Sequence, residues 1–216
     1  MADLADLQDT VLGRLRAKHD ARERSLAASR DATRHAANAI RAVHREERDL
    51  AAELIGRARQ SLAEAEDACS GHPAVEHAGF LADARKEYVE ACATDALVAG
   101  APLPGPDDLG TDEATYLNGL AEAVGELRRR VLDRLRVGDL AEAEALLGAM
   151  DDIYALLTTI DFPDGVTGGL RRSTDMVRGI TERTRGDVTT ALVGDRLRDA
   201  LERHRRDVLE DTEPGG

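Results

Sequence analysis

Glu87 and Glu90 in DARKEYVEAC (83–92), and Glu122 and Glu126 in YLNGLAEAVGELRR (116–129), are the residues whose type and spacing most directly suggest chemistry. Both stretches carry helical apolar periodicity, which sets the first pair at i, i+3 and the second at i, i+4, one turn apart on a helix surface. A like-charge pair of this kind costs only about 0.2–0.5 kcal/mol on an exposed helix, so a Glu-rich chain also tolerates one by chance. Glu122 and Glu126 lie opposite the apolar stripe Leu117, Leu120, Val124, Leu127 and Val131, and Glu90 lies off the apolar face of its own helix, so these carboxylates face water or an interface. If the two pairs converge, four carboxylates repel strongly unless a divalent cation sits among them. Oxygen-only ligation suits Mg2+ or Mn2+. Two such ions can activate water and stabilise the leaving oxygen in phosphodiester cleavage.

Charge outside these pairs is unevenly distributed. The 216 residues carry a net charge of −13, and only Lys18 and Lys86 among the 29 Lys and Arg residues are lysines. Abundant acid, much Ala and Arg, and almost no Lys is a composition expected of a high-salt archaeal cytoplasm, where an acidic surface maintains hydration, so global acidity says little about partners. Local departures say more. Between Leu12 and Arg45 nine cations face three anions, and Val166 to Leu192 has five arginines, Arg171 and Arg172 the first of them, against three acids, so in an acidic chain both stretches have the look of a footprint for a polyanion such as nucleic acid. Within the first stretch Arg30, Arg34, Arg41 and Arg45 follow at intervals of four, seven and four, one helical stripe able to track phosphates. The alternative is a solvated face laced with intrahelical ion pairs. The five aromatics, Phe80, Tyr88, Tyr116, Tyr154 and Phe162, have the look of core residues, so any nucleic-acid binding is expected to be directed at the backbone rather than at stacked bases. The six histidines lack zinc spacing and are expected to be structural or at the surface, and GVTGGLRR lacks the strand, Lys and Ser/Thr of a phosphate-binding loop.

The elements that must position these residues are helices. Pro is absent from residues 1–72, where apolar residues recur at Leu4, Leu7, Val11, Leu12, Leu15, Ile40, Val43, Leu50, Leu54, Ile55 and Leu62. One straight helix over that length would reach about 100 Å, so a break is expected near HREERD. SGHPAVEH starts the next helix, which is expected to run to Gly100. GAPLPGPDDLGTD is a loop, Thr111 or Asp112 caps a helix to Val137, and Asp139 caps another to Thr159. DFPDGVTGG is a second loop before helices over 168–192 and 195–210. No window alternates as strands do, and the expectation is one all-α domain of about seven helices over 1–216, with residues 211–216 disordered. The N-terminus MADLADLQDT has no basic region followed by an apolar run, and no apolar run approaches the roughly 18 residues of a membrane span. Cys69 and Cys92 make neither a disulfide framework nor a metal spacing, so the expected location is cytoplasmic, without membrane contact.

Taken in order, SRDATRHAANAIRAVHR (29–45), KEYVEA (86–91), YLNGLAEAVGELRR (116–129), VGD (137–139) and LRRSTDMVRGITERTRGD (170–187) resemble segments of the translin family, most closely the TRAX-like members. The resemblance implies a seven-helix bundle, a hollow octamer-like homo-oligomer or co-assembly with a paralogue, and single-stranded RNA or DNA held against the inner surface. For TRAX-like members it further implies a Mg2+-dependent endoribonuclease. Carried over by motif, Glu87 and Glu90 take the place of the catalytic pair, Glu122 the place of the third catalytic carboxylate, and Glu126 that of the glutamate following it. The family has aspartate where this chain has Glu122, which keeps the charge and adds a methylene. Translin itself is nuclease-inactive, so a binding-only oligomer is the alternative to a nuclease, and a purely structural helical oligomer is a third reading.

Overall fold

The computed structural model describes residues 3–210, and the expectation for residues 211–216 lies outside them. Its elements, all helical among the described residues, are α1 (Leu4–His44), α2 (Arg48–Cys69), α3 (Pro73–Glu76), α4 (Gly79–Val98), α5 (Pro106–Leu109), α6 (Glu113–Val137), α7 (Leu140–Thr158), α8 (Asp164–Thr167) and α9 (Leu170–Glu210). Three of them, α3, α5 and α8, are single turns. No helix is long and apolar enough to cross a membrane.

Short-range chemistry sets most of the boundaries. Asp112 caps α6 by accepting from the Thr115 N–H at 2.9 Å, and Asp139 caps α7 by accepting from the Glu142 N–H at 3.1 Å. Between them Gly138 closes α6 in the left-handed region at φ 79°, where a side chain would be strained. The break expected near HREERD falls at Arg45–Glu47. There Glu46 adopts φ 63°, and its carboxylate accepts from Arg130 at 2.9 Å and pairs with Arg134 at 3.1 Å. Two boundaries differ from expectation. The helix begun at Pro73 stops after one turn, because Ala78 is extended (ψ 139°) and α4 restarts at Gly79. At the other end α9 runs unbroken for 41 residues through Gly194, whose cost of about 1 kcal/mol is offset by the strong helix formers Ala191, Leu192, Arg196 and Leu197 on either side.

The bundle has two cores. In the first, α1 buries Ala32, Ala36, Ala39 and Ile40, with Ala21, Ser25 and Ser29 buried further along the helix, and α2 answers with Ala58, Leu62, Ala65 and Cys69, while Ala42, Val43 and Ala51 form a small cluster of their own where the two helices turn. The spacing of three and four is helical, but the residues are small, so the two antiparallel helices lie close together. The second core joins Leu120, Val124, Leu127 and Val131 of α6 to Leu146, Met150, Ile153 and Leu157 of α7 and to Leu170, Val177 and Val188 of α9. Helix α4 belongs to both, with Leu81, Ala84 and Tyr88 in the first and Ala93 in the second. The N-terminal apolar stripe, in contrast, is not in either core: Leu4, Leu7, Val11, Leu12 and Leu15 are exposed, as are Val193, Leu197 and Leu201 near the other end of the chain. Phe162, expected inside, is 61% exposed on the α7–α8 connection.

Candidate metal centre

Helices α4 and α6 meet where the two cores join, and Gly119 sets how closely. A Cβ at that position would stand 2.7 Å from Val89 Cβ and 3.0 Å from the Lys86 carbonyl, so only glycine permits this approach of the two backbones. The contact lies beside Glu87 and Glu90 on α4 and one turn before Glu122 on α6. As a result one carboxylate oxygen from each of Glu87, Glu90 and Glu122 lies within 4.8 Å of the others. All three side chains are partly buried.

The electrostatics follow from crowding like charges in a partly dry seam. Burial pushes the Glu90 carboxyl up to about 8, with the charges of Glu87, Glu122 and Glu126 adding to the effect. Burial, then the charge of Glu122, also raises Glu87 above the ordinary carboxylate range. Neither carboxylate has a hydrogen bond or ion pair among the described residues. Glu122 differs, since its Oε1 accepts from Lys86 Nζ at 2.6 Å. Burial opposes the Lys86 charge, but this bond, followed by the charges of Glu122, Asp83 and Glu87, carries its pKa above the ordinary lysine value.

Glu126 takes another partner. Its Oε2 lies 2.5 Å from Nε2 of His44, the last residue of α1, whose side chain is only 4% exposed. The His44 bond holds the Glu126 carboxyl below its ordinary range, burial notwithstanding. The expected cluster of four carboxylates is therefore three in close array, with Glu126 flanking them and tied to α1. Sequence reasoning missed His44, whose partner lies 82 positions away, and Gly119, whose neighbour is on another helix. Three convergent oxygen donors, two of them unpartnered and one paired with an ammonium, fit a hard divalent cation; Glu87, Glu90 and Glu122 would hold it.

The arginines lie elsewhere. Arg30, Arg34 and Arg41 are exposed on the face of α1 turned away from its alanine seam. Arg30 has no partner among the described residues, whereas Arg34 pairs with Asp31 at 2.9 Å, Arg41 donates to Asn38 at 2.7 Å, and Arg45, just past the helix end, pairs with Glu47 at 2.6 Å. Arg171 lies 3.9 Å from Asp161. Its neighbour Arg172 borders a cavity that also touches Lys86 and Glu122.

No family model matches the chain. It is 32% identical over 188 residues to an uncharacterized protein of Methanocaldococcus jannaschii, covering 86% of this chain and 83% of that protein. Among solved structures, AfC3PO in a duplex RNA complex is 34% identical at a TM-score of 0.81, covering 87% of this chain and 97% of that one. The fold is shared with apo-NeC3PO, at a TM-score of 0.73 and 20% identity over 88% of this chain and 98% of that one.

Proposed function

The chain belongs to the translin family, whose TRAX-like archaeal members include AfC3PO and NeC3PO, and on that premise we propose that it binds RNA and cleaves it as a divalent-metal-dependent endoribonuclease within a homo-oligomer. The observation that carries this reading is the convergence of Glu87, Glu90 and Glu122 within 4.8 Å. Bound Mg2+ or Mn2+ would supply charge neutralisation at a phosphodiester and easier deprotonation of the attacking water. The chain's own residues do the rest. Glu87 and Glu90 present unpaired oxygens from one turn of α4, Glu122 faces them from α6, and the His44 bond fixes the orientation of Glu126 beside them.

RNA comes to this reading from AfC3PO, which has been solved with duplex RNA. Arg30, Arg34, Arg41 and Arg45 offer contacts to phosphates, which are common to duplex and single strand and carry no base identity. Oligomer formation is supported by the exposed leucine stripe of α1 and that of α9, which need apolar cover. Sedimentation should give a species several times the 23.3 kDa chain.

A binding-only protein is the second reading, and the Lys86–Glu122 pair at 2.6 Å favours it, because the ammonium already neutralises the carboxylate that departs from the family aspartate. Labelled single-stranded and duplex RNA, incubated with the protein and Mn2+, Mg2+ or EDTA, decide between the two. Cleavage that requires the divalent ion and disappears in Glu87→Gln/Glu90→Gln supports the nuclease. Binding without cleavage under every metal condition leaves the binder.

A further inference from the structure

Beside the three carboxylates lies a cavity of about 510 Å3, inside the roughly 300–1,000 Å3 range of small-molecule sites. It shares Lys86 and Glu122 with the carboxylate cluster and extends from there between the start of α6 and the start of α9. Its polar floor is fixed and saturated. Asn118 Nδ2 donates to the carbonyls of Ala114 and Thr167, each at 2.9 Å, and Asn118 Oδ1 accepts from Ser173 at 2.7 Å. Acceptors are available on the walls, where Asp83 feels the Lys86 charge without an ion pair and Asp164 makes no ion pair among the described residues. At the rim, Arg172 is a cation without a carboxylate partner among the same residues, unlike Lys86.

We propose that this cavity is the subsite for one nucleotide of the RNA strand, with Arg172 on its phosphate and Asp83 and Asp164 accepting from the hydroxyls of its ribose. The proposal rests on the RNA reading above and adds to it a place for the nucleotide next to the reacting phosphodiester. The chemistry matches group by group. An unpaired guanidinium is a fork for phosphate oxygens. Two carboxylates that can only accept suit the ribose hydroxyls, which every ribonucleotide shares. The floor has no free donor, and no aromatic lines the cavity, so neither hydrogen bonding nor stacking selects a base strongly. A strand whose phosphodiester lies at Glu87, Glu90 and Glu122 has this concavity directly beside it.

The test uses the full chain in EDTA and low salt, titrated with AMP and with UMP by calorimetry or by amide chemical shifts. Both should saturate, with dissociation constants within about threefold of each other. Arg172→Gln, an exposed position, should weaken both by about tenfold or more. Ala114→Leu, which fills the cavity from the first turn of α6, should do the same while the far-UV spectrum and melting temperature show it folded. The Glu87→Gln/Glu90→Gln protein should still bind. Failure of either nucleotide to saturate, affinity unchanged in both cavity variants, or loss of binding only when Glu87 and Glu90 are changed would each overturn the subsite. Metal-dependent cleavage by the wild-type protein is scored separately, so a missing subsite and a missing nuclease give different results.

Discussion

Glu90→Gln should make the metal-free protein more stable, by an amount that grows with pH. Glu90 is an acid whose folded pKa is raised, to about 8 from an ordinary 4.5. The folded state therefore binds more protons than the unfolded state between these values. The corresponding stability is fully present below pH 4.5 and is lost as pH rises toward about 8, at about 1.4 kcal/mol per pH unit. By pH 7 the wild-type protein bears a cost of about 3 kcal/mol that a neutral, nearly isosteric Gln avoids. Urea midpoints at matched protein concentration, in EDTA and constant KCl, measure it. The variant should exceed wild type by less than about 1 kcal/mol at pH 5 and by about 3 kcal/mol at pH 7. Mn2+ should then close the gap by stabilising wild type and not the variant. A difference that stays flat from pH 5 to 7, or a variant less stable at both, would refute the assignment of crowded, partly buried charge to this seam.

Three other perturbations probe what holds the seam together. Gly119→Ala forces α4 and α6 apart at Val89 and should cost about 1–3 kcal/mol in urea unfolding while also reducing the thermal gain from Mn2+. His44→Ala strands the part-buried Glu126 carboxylate and should lower stability by about 1–3 kcal/mol, with His44→Gln recovering part of it by donating to the same oxygen. Replacing Arg30, Arg34, Arg41 and Arg45 by Gln should weaken filter binding of unrelated RNA sequences by similar factors and flatten the salt dependence; undiminished affinity would make the stripe a solvated face.

What could be read from the sequence was what local chemistry decides. Asp112 and Asp139 announce helix starts because a cap is a contact between neighbours, and both start where expected. The carboxylate spacings were likewise visible, since one turn of helix fixes each pair. Their meeting was not, because it depends on a glycine packed against a valine 30 positions earlier in the chain, for which sequence spacing carries no signal. The first core misled for a related reason. Leucines drew attention to residues 4–15, whereas the packed seam of α1 is built of Ala21, Ala32, Ala36 and Ala39, residues too common to stand out. The unbroken α9 escaped because Gly194 resembles a terminator in sequence and behaves as a tolerated interior glycine in the helix.

Residues 4–20 of α1 are exposed throughout, and so is most of α9 beyond Leu192. Each stretch continues a helix that is packed further along, so it needs no nucleus of its own, but extension without tertiary packing gains little per residue and a free end frays. In the proposed homo-oligomer, cover from neighbouring subunits would hold these two arms in shape, so dilution to the single chain should lower helical content at the arms first and leave the α4–α6 seam, packed within one chain, intact. The carboxylate cluster is a property of the single chain, whereas the order of the arms would depend on concentration.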